Sequence, residues 1–210
     1  MFKDRIEAGK KLAGRLKEEL SPQELREVFL LAIPRGGIVV GSQISKTLGI
    51  PMDCLVIKKI PSLESSELAI GAVGEGGVVV WEKEICERME IPVEYQQKIV
   101  KEKLLELEDK TNFFRKGKML TDLKGRMVVI VDDGVATGAT VRASVAVVEN
   151  FSPREIILAV PVIARETLTE LKGKFGRVIY LEAPEMFFSV GQFYQNFEQI
   201  TDEEVRGILK

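Results

Sequence analysis

The chain has no histidine among its 210 residues. That removes the commonest metal ligand and the usual general base, and it excludes a Ser-His-Asp or Cys-His catalytic centre. Cysteine is nearly as scarce: Cys54 and Cys86 are too few and too far apart for a disulfide framework or a zinc site. Neither sign of charge is in excess, because 30 Lys and Arg face 32 Asp and Glu for a net charge of -2. No basic surplus therefore advertises nucleic acid, and no acidic tail marks a solvating segment. Long apolar runs are also missing. The stretch "IILAVPVIA" at 156–164 is about half of a membrane span, and the opening "MFKDRIEAGKKLAGRLKEEL" is charged throughout. The expectation is a cytoplasmic protein with no membrane association and no nucleic-acid partner.

What is present is an ordinary globular composition, 45% hydrophobic, in a chain long enough for one sizeable core. There is no internal repeat, low-complexity tract or interdomain linker, so residues 1–210 are expected to form a single domain. Phe2, Ile6, Gly9, Ala13, Leu16 and Leu20 fall on one helical stripe, which predicts an amphipathic N-terminal helix. "SPQE" then offers Ser21 as N-cap, Pro22 at the first helical position and Glu24 to close a capping box. Six short aliphatic runs follow as strand candidates: "VFLLAI", "DCLVIK", "GVVVW", "MVVIV", "EIILAV" and "RVIYL". Their near-continuous apolarity predicts cover on both faces, hence an α/β fold with a parallel sheet flanked by helices, among them Val39 to Leu48, Thr140 to Asn150 and Arg165 to Lys172.

The most informative stretch is "VVIVDDGVATGAT", Val128 to Thr140. In a parallel sheet the carboxyl ends of strands face the ligand crevice, so Asp132 and Asp133 belong at that edge. Beyond them Gly134, Ala136, Gly138 and Ala139 keep side chains out of the way. Backbone amides can then close on an anion at the next helix start, with Thr137 and Thr140 adding hydroxyls. Two acids would repel a phosphate if they faced it, but they suit the hydroxyls of a sugar phosphate, with a divalent cation nearby. The plainer reading of "DDG" alone is a turn. The stretch is neither a Walker A loop nor a dinucleotide fingerprint.

It resembles the 5-phosphoribosyl pyrophosphate (PRPP) motif of the type I phosphoribosyltransferases. The resemblance implies that Asp132 and Asp133 hold the ribose 2- and 3-hydroxyls and meet Mg2+ directly or through water, and that Ala136, Thr137, Gly138, Ala139 and Thr140 hold the 5-phosphate. Two positions depart from the family pattern. Gly134 stands where an aliphatic residue is usual, which is expected to loosen the loop. Ala136 replaces an aspartate of the 6-oxopurine enzymes.

A second strand, tight turn and helix lie in "LLAIPRGGIVVGSQISKTLGI". Gly36 and Gly37 allow close backbone approach, and the Arg35 guanidinium suits phosphate; alone, the turn reads as surface arginine and glycine. The segment resembles the pyrophosphate loop of bacterial xanthine-guanine enzymes, which assigns Arg35, Gly36 and Gly37 to pyrophosphate. Lys58 and Lys59, at the end of the next strand, would add positive charge there.

Between these motifs an insertion at about 61–125 breaks the rhythm. It holds the glycine-rich "AIGAVGEGGVVVW" and a long helix after Pro92 with Tyr95, Ile99, Val100, Leu104, Leu107 and Phe114 on one face. By resemblance it is a mobile flap, and otherwise an accessory hairpin, with Glu67, Glu75 and Arg115 as candidate site residues. A C-terminal hood at about 183–210 carries "FFSVGQFYQNF", which concentrates five of the 10 Phe, 3 Tyr and 1 Trp. Those rings suit a small core. The resemblance also offers Phe187, Phe188 and Val190 as a base-binding platform. The implied activity is Mg2+-dependent transfer of phosphoribosyl from PRPP to a nucleobase-like acceptor, in a family where homodimers are common, with Asp132, Asp133 and Arg35 as the catalytic set. The alternatives are a non-catalytic PRPP-sensing regulator of the same fold and a hydrolase of a phosphorylated sugar or nucleotide.

Overall fold

A strand that is apolar on both faces must be covered twice, and the chain does this by alternating strands with helices. The structure, a computed structural model, describes residues 1–65 and 68–209. In chain order the elements are α1 (Arg5–Glu19), α2 (Pro22–Glu27), β1 (Val28–Ala32), α3 (Gly36–Leu48), β2 (Met52–Cys54), β3 (Ile57–Pro61), β4 (Ala69–Gly74), β5 (Val78–Trp81), α4 (Lys83–Arg88), α5 (Val93–Arg115), β6 (Met127–Val131), α6 (Ala139–Glu149), β7 (Glu155–Val162), α7 (Arg165–Leu171), β8 (Arg177–Glu182) and α8 (Asp202–Ile208).

The main sheet has five parallel strands in the order β2-β1-β6-β7-β8. Alternate residues of each strand feed opposite cores. Leu30, Val129, Val131 and Ile157 pack with Leu12 and Leu16 of α1 and Ile38 and Ile44 of α3. Phe29, Val128, Ile130 and Leu158 pack with Val141, Val145 and Val148 of α6 and Leu168 and Leu171 of α7.

Helix α2 begins as its sequence predicts, with Ser21 and Glu24 forming a reciprocal capping box and Pro22 in the first turn. Helix α1 buries Gly9, Ala13 and Leu16 of the expected stripe, with Phe2 and Leu20 at its flanks, but not Ile6, which is 46% exposed; Arg5, Ala8 and Leu12 complete the buried face instead. Two contacts set this face. A Cβ on Gly9 would stand 2.7 Å from the Val40 carbonyl oxygen, so α1 meets α3 backbone to backbone. Arg5, which hydropathy would send to solvent, has an acid to meet inside.

Two strand expectations are corrected. "DCLVIK" is not one strand: Leu55 still donates to the Ala32 carbonyl at 2.9 Å, but the Val56 amide donates to Glu75 Oε1 at 3.0 Å, and the chain leaves the parallel sheet there. Cys54, Leu55 and Val56 are all buried, so apolarity gives no sign of the exit. "GVVVW" also lies outside the parallel sheet. Its β5 joins β3 and β4 in a three-stranded antiparallel sheet with β4 in the centre, against which α5 packs Ile99 and Tyr95. The glycines of "AIGAVG" are packing positions in that central strand. A Cβ on Gly71 would lie 2.4 Å from the Val80 carbonyl oxygen, and one on Gly74 would collide with the Val147 side chain of α6.

The C-terminal hood is strapped to the N-terminus. Phe2 pairs with Tyr194 as an isolated parallel bridge, its amide donates to the Phe193 carbonyl at 2.7 Å, and the Gln195 amide donates to the Phe2 carbonyl at 2.8 Å. Phe2, Tyr194, Val162 and Ala8 form a small core of their own. Among the described residues, no helix is long and apolar enough to cross a membrane.

Candidate ligand site at the sheet edge

Strands β1 and β6 are hydrogen-bonded neighbours, with Ala32 opposite Val131 at their carboxyl ends. From β1 the chain passes over one face through α3 to β2. From β6 it passes over the other face through α6 to β7, so the two connections diverge at this point. Such a divergence leaves a crevice outside the strand ends, and both sequence motifs open onto it.

The two loops touch. A Cβ on Gly37 would stand 2.7 Å from the Val131 carbonyl oxygen and 2.9 Å from Asp132 Cα, and one on Gly36 would overlap the Asp133 carboxylate. Glycine at both positions is thus required by the acid loop pressed against them. The Pro34–Arg35 peptide at the head of the turn is cis.

Past the acids, the Val135 amide donates to the Val162 carbonyl at 2.9 Å, and the Thr167 hydroxyl donates to the Ala136 carbonyl, which pins the loop to the start of α7. Gly138 then adopts φ 73° and begins α6 without a side-chain cap. Uncapped amides at a helix start are a fit for an anion, although the helix field contributes only about 0.3–1 kcal/mol there. A cavity of about 200 Å³ lies on this loop, lined by Asp132, Ala136, Thr137, Gly138, Ala139, Thr140, Val190 and Lys59 among others. A larger groove of about 710 Å³ continues from Lys59, Thr137 and Ala139 between α6 and the β4–β5 hairpin.

Strand alternation separates the two lysines that the sequence could not distinguish. Lys58 Nζ turns to α5 and pairs with Glu106 Oε2 at 3.2 Å. Lys59 faces the other way and lines the cavity.

The two acids are also separated. Asp132 lines the cavity. Burial of its carboxyl and, next, the charge of Asp133 raise its pKa well above 3.8. Asp133 is not among the cavity residues. Its Oδ2 lies 2.7 Å from Arg5 Nε, with both side chains largely buried. Arg5 is held in turn by the Glu198 carbonyl at 2.9 Å from Nη1 and by the Phe197 ring, 3.8 Å from its Cζ to the centroid. The Tyr194 hydroxyl donates to the Asp133 carbonyl at 2.5 Å. Burial first, and Asp133 second, push the Tyr194 phenol above its usual range, so it remains a donor.

The remaining candidates scatter. Arg35 does not line the cavity; its Nη1 is 4.0 Å from Asp202 Oδ1, and Lys110 takes the other oxygen of that carboxylate. Val190 reaches the cavity, whereas Phe187 packs on Phe193 at 4.9 Å between centroids and Phe188 is 83% exposed. Glu75 and Arg115 are occupied elsewhere. They pair with each other, Arg115 also meets Asp53 at 2.8 Å, and the trio ties the end of α5 to β2 and to the turn after β4. Glu67 lies outside the described residues.

The family model for the phosphoribosyl transferase domain matches residues 3–197, which spans both loops, the second sheet and most of the hood. The chain belongs to the phosphoribosyl transferase domain family. Two Mycobacterium tuberculosis relatives, provisionally named phosphoribosyl transferases, are each 37% identical over 209 residues. The match covers 100% of this chain and 46% of each relative, so this phosphoribosyl transferase domain spans about half the length of the curated proteins it resembles. A Thermus thermophilus protein of known crystal structure superposes with a TM-score of 0.84 at 35% identity, covering 99% of this chain and 97% of that one. An Aquifex aeolicus protein shares the fold at a TM-score of 0.52 and 16% identity, over 87% of this chain and 74% of that one.

Within this phosphoribosyl transferase domain the departure at Gly134 has a physical partner. A Cβ there would fall 2.5 Å from Val190 Cγ1 and 3.0 Å from Val162 Cγ1, so the hood valine fills the space an aliphatic residue would take. Gly134 is buried by this packing, contrary to a loosened loop. Sequence reasoning missed Arg5, Tyr194 and Thr167. The only available signal was a charge at position 5 on the buried side of an amphipathic helix.

Proposed function

We propose that this domain transfers the 5-phosphoribosyl group of PRPP to a nitrogen of a nucleobase or related acceptor, with release of pyrophosphate and a requirement for Mg2+. The observation that carries the reading is that one carboxylate, Asp132, and the uncapped glycine-rich start of α6 share a single cavity at the diverging strand ends.

In this reading the amides and hydroxyls from Ala136 to Thr140 hold the 5-phosphate, with Lys59 adding positive charge beside them. Asp132 accepts a hydrogen bond from a ribose hydroxyl, an interaction worth about 1.5–3 kcal/mol when the acceptor is charged. Arg35 with Gly36 and Gly37 takes the pyrophosphate next door, with Lys58 held at a distance by Glu106. The bond from C1 to the pyrophosphate oxygen breaks with its electron pair leaving on pyrophosphate, and a C1–N bond forms. Ala136 offers no proton acceptor, so the acceptor nitrogen gives its proton to water or to a pyrophosphate oxygen. Donors held in place beforehand are most effective in such a step, because charge separates between sugar and leaving group.

Among the described residues there is no cluster of three or more His, Cys, Asp or Glu able to hold a metal. Magnesium nonetheless fits, because it commonly takes one or two carboxylates and completes its shell from phosphate oxygens and water. Asp132 is a half-buried acid on the cavity wall, and Asp133 lies beside it. What a bound Mg2+ supplies is neutralisation of charge on the departing pyrophosphate. A cytoplasmic homodimer belongs to the same proposal.

The test is pyrophosphate release from PRPP and Mg2+ across a panel of nucleobases. Release that depends on an acceptor, with a ribonucleoside monophosphate formed, is expected. Tight PRPP binding without release for any acceptor would overturn catalysis in favour of a sensing role, and phosphate-ester cleavage without an acceptor would make the protein a hydrolase.

A further inference from the structure

We infer, on the phosphoribosyl reading above, that Thr167 and Arg142 are positioning residues for the 5-phosphate: each holds one loop carbonyl on the outer side and so turns the amide of the same peptide group into the cavity. A cradle of backbone amides grips an anion only while several N–H groups converge on it, and a loop free to rotate its peptides does not keep them converged.

Three successive carbonyls of the loop are held. The Ala164 amide donates to the Val135 carbonyl at 2.9 Å, the Thr167 hydroxyl donates to the Ala136 carbonyl, and Arg142 Nη1 donates to the Thr137 carbonyl at 2.9 Å. A trans peptide is planar, with its C=O and N–H pointing opposite ways. The Ala136 carbonyl shares its plane with the Thr137 amide, and the Thr137 carbonyl shares its plane with the Gly138 amide. Thr137 and Gly138 line the cavity, whereas Thr167 and Arg142 do not. Carbonyls drawn towards those two side chains therefore leave both amides facing the cavity, and neither amide donates to any described residue.

Helix α7 is the base of both holds. Thr167 is buried, so water does not compete for its hydroxyl. Glu170, one turn further along α7, lies 3.5 Å from Arg142 Nη1 and steers the guanidinium back over the loop. Gly138 makes room for the arrangement. It takes φ 73°, and a Cβ there would stand 2.7 Å from Thr167 Cγ2 and 3.1 Å from Arg142 Nη1.

Two plainer roles would leave different traces. If Thr167 and Arg142 only fasten the loop to α7, losing either one loosens the whole loop and affects both amides alike. If Arg142 is only a positive charge near the anion, its effect fades at high salt, and the neutral Thr167 has none. Positioning ties each side chain to its own amide.

The experiment is titration of the full chain with ribose 5-phosphate, read by calorimetry and by the Thr137 and Gly138 amide signals of isotope-labelled protein. The proteins are wild type, Thr167→Val, Thr167→Ser and Arg142→Met, with melting curves alongside. In wild type both amide protons should move downfield as the phosphate accepts from them. Thr167→Val should lose that shift at Thr137 and keep it at Gly138, and Arg142→Met should do the reverse. Each should bind about tenfold more weakly, the scale of one hydrogen bond to a charged group. Thr167→Ser keeps the hydroxyl and should stay within about threefold of wild type, and the Arg142→Met loss should persist at high salt. Loss of both shifts together in each variant, or unchanged affinity in both, would overturn the inference. So would a Thr167→Ser protein as weak as Thr167→Val, or an Arg142→Met loss that salt abolishes. Should Thr167→Val fail to fold, Arg142→Met decides alone: the Gly138 shift lost with the Thr137 shift kept is expected, and any other pattern overturns it. Wild-type amides that do not respond to ribose 5-phosphate at all would instead sink the placement of the 5-phosphate on this loop, and with it the phosphoribosyl reading.

Discussion

Val190 of the hood occupies the space that a side chain at Gly134 would need: a Cβ on the glycine falls 2.5 Å from Val190 Cγ1. The acid loop and the hood are therefore packed through one methyl-sized gap. Gly134→Ala should destabilise the fold by about 1–3 kcal/mol, the usual range for overpacking, and weaken PRPP binding. Adding Val190→Ala should recover much of both losses. Thermal melts of the single and double variants check this, and independent, additive effects would show that the two residues are not coupled.

Arg115 and Glu75 form a second buried pair, with side chains 4% and 8% exposed. Removing one partner leaves a buried charge unmatched, at a cost of about 3–5 kcal/mol, whereas a well-packed apolar replacement of both can be close to neutral. Arg115→Met should thus lower the urea midpoint far more than Arg115→Met with Glu75→Leu and Asp53→Asn. Equal loss in both would assign the stabilisation to packing of the arginine stem instead.

Both pairs explain what the sequence conveys and what it hides. The motifs that could be read, Asp132 to Thr140 and Arg35 to Gly37, are local: a strand, a turn and a helix start written in consecutive residues, so their chemistry is visible without the fold. Arg5 and Asp133 stand 128 positions apart, and no periodicity links them. Lys58 and Lys59 are identical as letters and differ only by the side of β3 each takes. The break in "DCLVIK" is concealed because all the residues at the crossing are buried. The aromatic tail announces a small core, but which rings face it depends on the strap to Phe2, leaving Phe188 exposed and Phe187 packed.

The raised pKa of Asp132 makes stability depend on pH in a definite direction. A carboxyl whose folded pKa exceeds its ordinary 3.8 holds its proton more tightly when folded. Its stabilising contribution is full below that value and is lost as pH rises through the folded pKa. Asn at this position cannot ionise, so Asp132→Asn should melt close to wild type near pH 3.8 and progressively higher than wild type towards pH 8. A gain of roughly 2–4 °C is the scale for each kcal/mol in a domain of this size. Melts across that range check the sign, and a variant less stable than wild type at pH 8 would contradict the burial argument.

The most direct test of the central claim, that a ribose phosphate lies on Asp132 and the start of α6, is the affinity for PRPP with Mg2+ of Asp132→Asn against wild type, measured by calorimetry at pH 8. The structure predicts a loss of about 10- to 100-fold, the scale of a charged hydrogen bond, in a protein that melts no lower than wild type. Unchanged affinity in the folded variant would contradict it.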